Sequence, residues 1–234
     1  PSPPSRKGIK PKTIVGNEFY GGRGDKPHLG GFTYKVDMDG VSTNLWRFMI
    51  GQVAVRSIID VGCGMGISSS YFLSQGVDVL CLEGSSDAVS RNVLPKERIV
   101  EHDFSLGPWW PSATYDAVWS VEFVEHVGRQ YMHNYLPIFK KAALVFVTSS
   151  GQGGWHHVEV HEKWWWRARM AAEGFIFLND LTKQVRQHPL AKVYANESAM
   201  HLVHGMDVFL NPRVASLPQH KHLFGGNGCY GDSI

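Results

Sequence analysis

Residues 120–127 read SVEFVEHV and set two carboxylates and an imidazole close together: Glu122, Glu125 and His126. If the chain turns helical at Glu122, these stand at i, i+3 and i+4 and share one face. Two carboxylates pointing together repel unless a proton or a cation lies between them. Glu, Glu and His form a hard-to-borderline ligand set that suits Mg²⁺ or Mn²⁺, with imidazole shifting the preference toward Mn²⁺. The plainer reading is a glutamate satisfying the amides of the next helix and a histidine packed beside it. A second stretch, GQGGWHHVEVHEKWWW (residues 151–166), carries Gly151, Gly153 and Gly154 in a loop that can bring His156 and His157 to the same rim. One of them completes an E-x-x-E-H plus His site. His157 is the preferred fourth ligand and His156 the general base, because imidazole titrates near neutrality, although the two roles are exchangeable. Glu125 joins His156 and His157 as a catalytic candidate. His161 opens the next helix and reads as a capping or supporting residue. Trp155, in the glycine-rich loop, is the tryptophan best suited to touch a substrate, whereas Trp164 and Trp165 fit a buried helix face.

A second constellation lies upstream in IIDVGCGMG, residues 58–66. Asp60 precedes Gly62-x-Gly64-x-Gly66 at a strand-to-helix turn, where glycines let the backbone approach a ligand and leave a helix N-terminus facing it. Glu83, twenty-one residues after Gly62, falls at the tip of the next strand, where a carboxylate can accept hydrogen bonds from both hydroxyls of a ribose. The dinucleotide fingerprint G-x-G-x-x-G requires glycine at 67, and Ile67 stands there. The tighter G-x-G-x-G after Asp60 resembles motif I of class I S-adenosylmethionine (SAM)-dependent methyltransferases.

That resemblance covers roughly residues 56–180 and implies further roles. Glu83 corresponds to the family's ribose ligand, with Cys63 and Gly84 beside the cofactor. Asp103 and Phe104 resemble the pair that hydrogen-bonds and covers adenine. YDAVWSVEFVEHV resembles the fourth-strand motif, in which Ser120 and Val121 flank the methionine part and the methyl group arrives at the strand's carboxyl end. The metal pattern resembles metal-dependent 2′-O-methyltransferases of small-RNA 3′ ends and ubiquinone-pathway O-methyltransferases. The GQGGWHHV…WW segment resembles methyltransferases found alongside polysaccharide-building glycosyltransferases.

The elements that must position these residues follow a strand–helix alternation. A helix over 42–55 with Ser42 or Thr43 as N-cap precedes strands over 56–62, 77–85, 98–104, 115–123 and 143–150. Helices fall at 66–76, 86–93, 128–142 (interrupted near Pro137) and 161–175, and 174–180 and 206–212 can finish the sheet. This predicts an α/β, Rossmann-like, seven-stranded and mostly parallel sheet with helices on both faces. Irregular extensions flank it: a Pro/Gly-rich arm over 1–40, the methyltransferase domain over 41–212 and a tail over 213–234.

With 234 residues, the chain is long enough for one sizeable core. Its overall charge of +2 hides an uneven distribution. Residues 1–30 hold six Lys or Arg against Glu18 and Asp25, a net +4, which leaves −2 for the rest. The arm reads as solvated, loop-like chain with too many breakers for an element. Three cysteines argue against a disulfide framework and suit a reducing, cytoplasmic setting. No 18-residue apolar run spans a membrane. The chain begins at Pro1, compatible with a domain of a larger protein. The sequon at Asn196 is short enough to be chance.

Sugar hydroxyls need help to attack a sulfonium methyl, and a metal contacting two neighbouring hydroxyls supplies it. The first reading is therefore an O-methyltransferase acting on a carbohydrate or glycoconjugate. An RNA 2′-O-methyltransferase keeps the chemistry, but only the 1–30 arm offers clustered cations for phosphate. A third reading is a small-molecule phenol methyltransferase, and a fourth, least supported, is a non-catalytic SAM-binding module.

Overall fold

Strand residues of this chain alternate between two apolar layers, and that alternation organises the molecule. The structure, a computed structural model, describes residues 19–20, 29, 32–33, 41–154, 157–187 and 205–223. Seven strands form one sheet: β3 Ser57–Val61, β4 Asp78–Glu83, β5 Ile99–Glu101, β6 Tyr115–Ser120, β7 Ala142–Val147, β8 Ile176–Phe177 and β9 Asp207–Leu210. Their order is β5-β4-β3-β6-β7-β9-β8. β3 pairs parallel with both β4 and β6, β6 with β7, and β9 runs antiparallel between β7 and β8.

Ile58, Ala117, Trp119, Leu144 and Phe146 face one layer, packed against Leu45, Trp46 and Met49 of α1 (Thr43–Gly51) and Phe72 of α2 (Ile67–Ser74). Leu181 and Val185 of a later helix, Asn179–Gln187, share that layer. Ile59, Val61, Val118, Val145 and Phe209 face the other, against α4 (Met132–Phe139) and α5 (Lys163–Ala172). Between α2 and α4 comes α3, Ser86–Arg91, whose N-cap Ser85 accepts the Ala88 amide at 3.2 Å. The α/β sheet expected from sequence is thus the observed one.

Several local expectations are corrected. The fourth strand stops at Ser120 and the third spans only Ile99–Glu101, so Val121–Phe123 and His102–Phe104 are loop. Pro137 lies inside α4 and does not interrupt it; the element instead starts late, after a 3₁₀ turn at Arg129–Tyr131. In α5, Trp166 and Met170 are the buried pair and Trp164 is 69% exposed, because the helix begins two residues later than expected and its inner face starts one residue on. Residues 174–180 supply only the two-residue strand β8 before the helix Asn179–Gln187, which the polar sequence NDLTKQVRQ concealed. The arm contains a short antiparallel pair, β1 (Phe19–Tyr20) with β2 (Phe32–Thr33), despite its breakers.

The tail is also structured where described. A helical turn at Pro212–Ala215 leads into a 3₁₀ segment, Pro218–Leu223, that docks at the amino-terminal edge of the sheet. Asp116, buried at the start of β6, anchors it. Its Oδ2 accepts the amides of Arg56 (2.8 Å) and Ser57 (3.1 Å) and meets His222 Nε2 (3.1 Å), while Oδ1 meets His220 Nδ1 (2.7 Å). Removing a buried carboxylate from such a set leaves its partners desolvated and unpaired. Asp116→Ala should therefore cost about 3 kcal/mol of stability, measured by urea denaturation.

Candidate cofactor and metal site

Where β3 and β6 diverge, a cavity opens at the carboxyl ends of the strands. Its wall includes Asp60, Gly62, Cys63, Gly64, Glu83, Gly84, Asp103, Phe104, Val121, Glu122 and His126. These are eleven of the positions expected from sequence, gathered from four strand ends. Two of the expected cofactor positions are absent from the wall. Ser120 is fully buried, its hydroxyl directed at the Val61 carbonyl, because the strand's pleat turns it inward; Trp119 lines the cavity in its place. Gly66 serves as the N-cap of α2 at φ +78°, shaping the turn without reaching the cavity.

Hydrogen bonds hold the cofactor half of the site in shape. Glu83 Oε2 accepts the Gly64 amide at 2.8 Å and Oε1 accepts the Ser85 amide at 2.9 Å, which orients the carboxylate in the cavity wall. Asp60, 2% exposed, accepts the hydroxyls of Ser68 and Ser69 at 2.5 and 2.7 Å and fastens the first turn of α2 to the strand. Asp103 Oδ1 accepts the Ser105 amide at 2.8 Å. Phe104 packs edge-on to His102 and Phe123. The fit to SAM rests on this cradle: a carboxylate at the tip of β4, an open helix N-terminus, and a glycine turn with no room for a side chain. A Cβ on Gly62 would stand 2.8 Å from Phe123 Cδ2, and φ there is +78°. Leu29 from the arm and Val41 and Trp46 from before and within α1 also line the cavity. The arm is therefore not wholly solvated. Trp46 was legible as an inward helix residue, but periodicity cannot tell a core position from a cavity wall, and Leu29 carried no signal.

The sulfurs of Cys63 and Cys81 are joined in a disulfide, with Cα atoms 5.7 Å apart. This corrects the expectation of unpaired cysteines. Parity and scarcity say nothing about proximity, and the register Asp60↔Cys81 sets the glycine turn directly over the neighbouring strand.

Opposite the glycine turn, SVEFVEHV is a series of turns and not a helix. Thr148 Oγ1 takes the Glu122 amide at 2.8 Å, and Glu122 has φ +51°, a left-handed value that helical propagation does not tolerate. The one-face arrangement is corrected accordingly: Glu122 is exposed, His126 buried and Glu125 fully enclosed. Ligand atoms of Glu122, His126 and His157 converge within 4.8 Å of one another. His157 Nδ1 lies 2.9 Å from the Gln152 carbonyl, which makes it the donor nitrogen and leaves Nε2 with the lone pair a metal needs. The imidazoles of His126 and His157 meet edge to face at 4.9 Å. The donor set is one carboxylate and two imidazoles, borderline in hardness, and of the two cations expected from sequence it suits Mn²⁺ better than Mg²⁺.

Glu125 is not part of that group, nor of the cavity wall. Its main-chain carbonyl instead accepts the amides of Val158 (2.8 Å) and Glu159 (3.0 Å), tying the His157 segment to the turn. Next along the same seam, Glu159 Oε1 accepts the Arg129 amide and Nε, and Oε2 meets His161, whose ring stacks on Trp165 at 3.7 Å. Burial alone would raise the Glu159 carboxyl, but hydrogen bonds from Arg129 and His161 outweigh it and hold the carboxyl below its usual range. His161 therefore contacts Glu159 and Trp165 and does not join the Glu122–His126–His157 group. His156 and Trp155 lie outside the described residues, as does Asn196.

Residues 59–145 match the family model for a methyltransferase domain. Comparison with curated proteins gives no match. Solved structures similar to this chain include the methyltransferase domain of bacterial CtHen1-C, 19% identical over 75% of this chain and 97% of that one, with a TM-score of 0.46. Magnesium protoporphyrin IX methyltransferase (ChlM) from Synechocystis PCC 6803 with bound SAM is 17% identical over 61% and 70%, TM-score 0.46. The plantazolicin methyltransferase BpumL is 11% identical over 75% and 82%, TM-score 0.47. The family match over residues 59–145, the sheet order and the cavity are together those of a SAM-dependent methyltransferase domain on a Rossmann-like sheet.

Two outcomes test the site. Gly62→Ala should weaken SAM binding by at least about tenfold, since the turn must give up its left-handed conformation or displace Phe123; isothermal titration calorimetry measures it. The second concerns Glu125, whose carboxyl is pushed up to about 8 by burial and then by repulsion from Glu122, with nearby amides and Lys163 offsetting only part. A carboxyl raised on folding holds its proton in the folded chain after the unfolded chain has lost it. Stability is therefore lost as pH rises from the ordinary carboxylate range through about 8. Glu125→Gln should leave the melting temperature near pH 4.5 little changed and raise it at pH 8 in EDTA, where a gain of about 1 kcal/mol corresponds to ~2–4 °C.

Proposed function

We propose that this methyltransferase transfers the SAM methyl group to a sugar hydroxyl of a glycan or glycoconjugate, with a divalent cation, Mg²⁺ or Mn²⁺, held by Glu122, His126 and His157. The observation that carries the reading is the convergence of those three side chains at the carboxyl end of β6, two of them in the wall of the cofactor cavity. A sugar hydroxyl is too weak an acid to ionise near neutral pH, and direct attack on a sulfonium methyl requires it to be oriented and polarised. A cation at this site supplies Lewis-acid polarisation of the hydroxyl and a template for its neighbour.

The chain's own residues do the remainder. Glu83, Asp103 and the Gly62–Gly64 turn hold the donor so that its methyl group faces the rim. Phe104 and Phe123 exclude water from one wall. The Thr148 hydroxyl, by holding the Glu122 amide, keeps that carboxylate turned toward His126 and His157. Glu122, His126 and His157 would hold such a cation with room left for the acceptor. His156, next to the His157 ligand in sequence, remains the proposed base. A sugar is favoured over RNA because the chain beyond the arm carries net negative charge, which suits a phosphate backbone poorly.

The test is an acceptor screen with labelled methyl donor over oligosaccharides, RNA 3′ ends and catechols, with Mg²⁺, Mn²⁺ or EDTA. Methyl transfer to oligosaccharides that EDTA abolishes and that falls at least about a hundredfold in Glu122→Ala is expected. Transfer insensitive to both would sink the metal assignment, and label arriving only on RNA or catechol would replace the acceptor.

A further inference from the structure

We propose that Cys63 and Cys81 form a reversible thiol–disulfide site that controls the affinity for SAM. Cys63 lies in the glycine turn between Gly62 and Gly64 and forms part of the cavity wall. Cys81 lies on β4, two residues before Glu83. The bond therefore joins the two halves of the cofactor cradle at its floor, beneath the 2.8 Å hydrogen bond from the Gly64 amide to Glu83. Asn92 seals the arrangement: its side-chain amide donates to the Gly64 carbonyl at 3.0 Å and approaches Cys81 Sγ at 3.3 Å. Leu94 shares a buried apolar cluster with the two cysteines.

The two sides of the bridge differ in stiffness. Cys81 belongs to a strand paired on both edges, to β3 and to β5. Cys63 sits in a turn between glycines at φ +78° and +54°. Sulfurs bonded at about 2 Å must move to van der Waals contact when the bond breaks, roughly 1.5–2 Å further apart. The packed strand cannot absorb that displacement, so the glycine turn does, and the Gly64–Glu83 hydrogen bond moves with it. The oxidised form is the preorganised one and binds SAM more tightly.

Access follows the same asymmetry. Cys81 is fully buried, whereas Cys63 is 7% exposed and borders the cavity. A dithiol reductant enters through the cofactor cavity, and its thiolate attacks Cys63 Sγ. The Cys63–Cys81 bond breaks, and Cys81 leaves as a thiolate that takes up a proton. The second thiol of the reductant then resolves the mixed disulfide and releases Cys63, which also takes up a proton; the two protons gained by the cysteines are those the dithiol gives up. Two electrons pass from the dithiol, which becomes a disulfide. Bound SAM occupies the route of attack and, by thermodynamic reciprocity, stabilises the disulfide by the factor the disulfide adds to SAM affinity.

The experiment uses the full chain equilibrated in oxidised or reduced glutathione and then dithiothreitol, with the thiol state read by alkylation and mass spectrometry. Calorimetric titration with SAM should give a Kd about tenfold higher after reduction. Saturating SAM should shift the midpoint of the Cys63–Cys81 redox titration by about 30 mV to more reducing potential, the two-electron equivalent of tenfold. Cys81→Ser should bind weakly in either buffer, with circular dichroism reporting its fold, and Cys229→Ser should behave as wild type. The wild-type comparison needs no variant, so a misfolded Cys81→Ser leaves the test intact. Free thiols at both positions in oxidised glutathione, equal affinities in the two states, or tighter binding on reduction would each overturn the proposal.

Discussion

The parallel pairing of β3 with β6 is the constraint on which the rest depends. After β3 the chain passes into α2, which packs on one face of the sheet; after β6 it passes toward α4, on the other. Two neighbouring strands whose continuations leave in opposite directions must open a crevice at their carboxyl ends. Nothing in that crevice needs to be carved out of the core. The glycine turn of one strand and the Glu122–His126 turns of the other become its two walls, and donor and acceptor chemistry meet between them.

Enclosed carboxylates of the fold fall into two classes with opposite physical consequences. Asp60, Glu83 and Asp116 are wholly or partly enclosed yet met by amides, hydroxyls or imidazoles at hydrogen-bond distance, so their charges organise backbone. Glu125 is enclosed with neither carboxylate oxygen in a well-formed hydrogen bond, and its carboxyl rises accordingly. Its carbonyl, not its carboxylate, ties the 157–159 segment to the turn. The protein accepts that destabilising group beside the converging side chains of Glu122, His126 and His157, and rule-breaking groups of this kind gather at functional sites.

Much of the cofactor half was legible without coordinates. Gly62, Gly64, Glu83, Asp103 and Phe104 lie at strand ends, and spacing along alternating strands and helices predicts strand ends well. The acceptor half was legible only in composition. Glu122, His126 and His157 do converge, but through turns: a helix would have brought Glu125 along, and the Thr148 hydroxyl that prevents the helix is 26 residues away. Leu29 and Trp46 in the cavity wall, and the Cys63–Cys81 bond, are likewise products of contacts distant in sequence.

Residue order alone therefore determined which segments build the seven-stranded sheet, how their faces alternate, and that a nucleoside-type cofactor meets the glycine turn, because those properties follow from periods of two and 3.6 residues and from backbone freedom at glycine. Only tertiary structure decided which carboxylate of SVEFVEHV joins the histidines and which is buried, and that two of the three cysteines meet. Those outcomes turn on the direction of single side chains. A left-handed residue at 122 and the register of β3 with β4 set these directions, and neither leaves a periodic trace in the sequence.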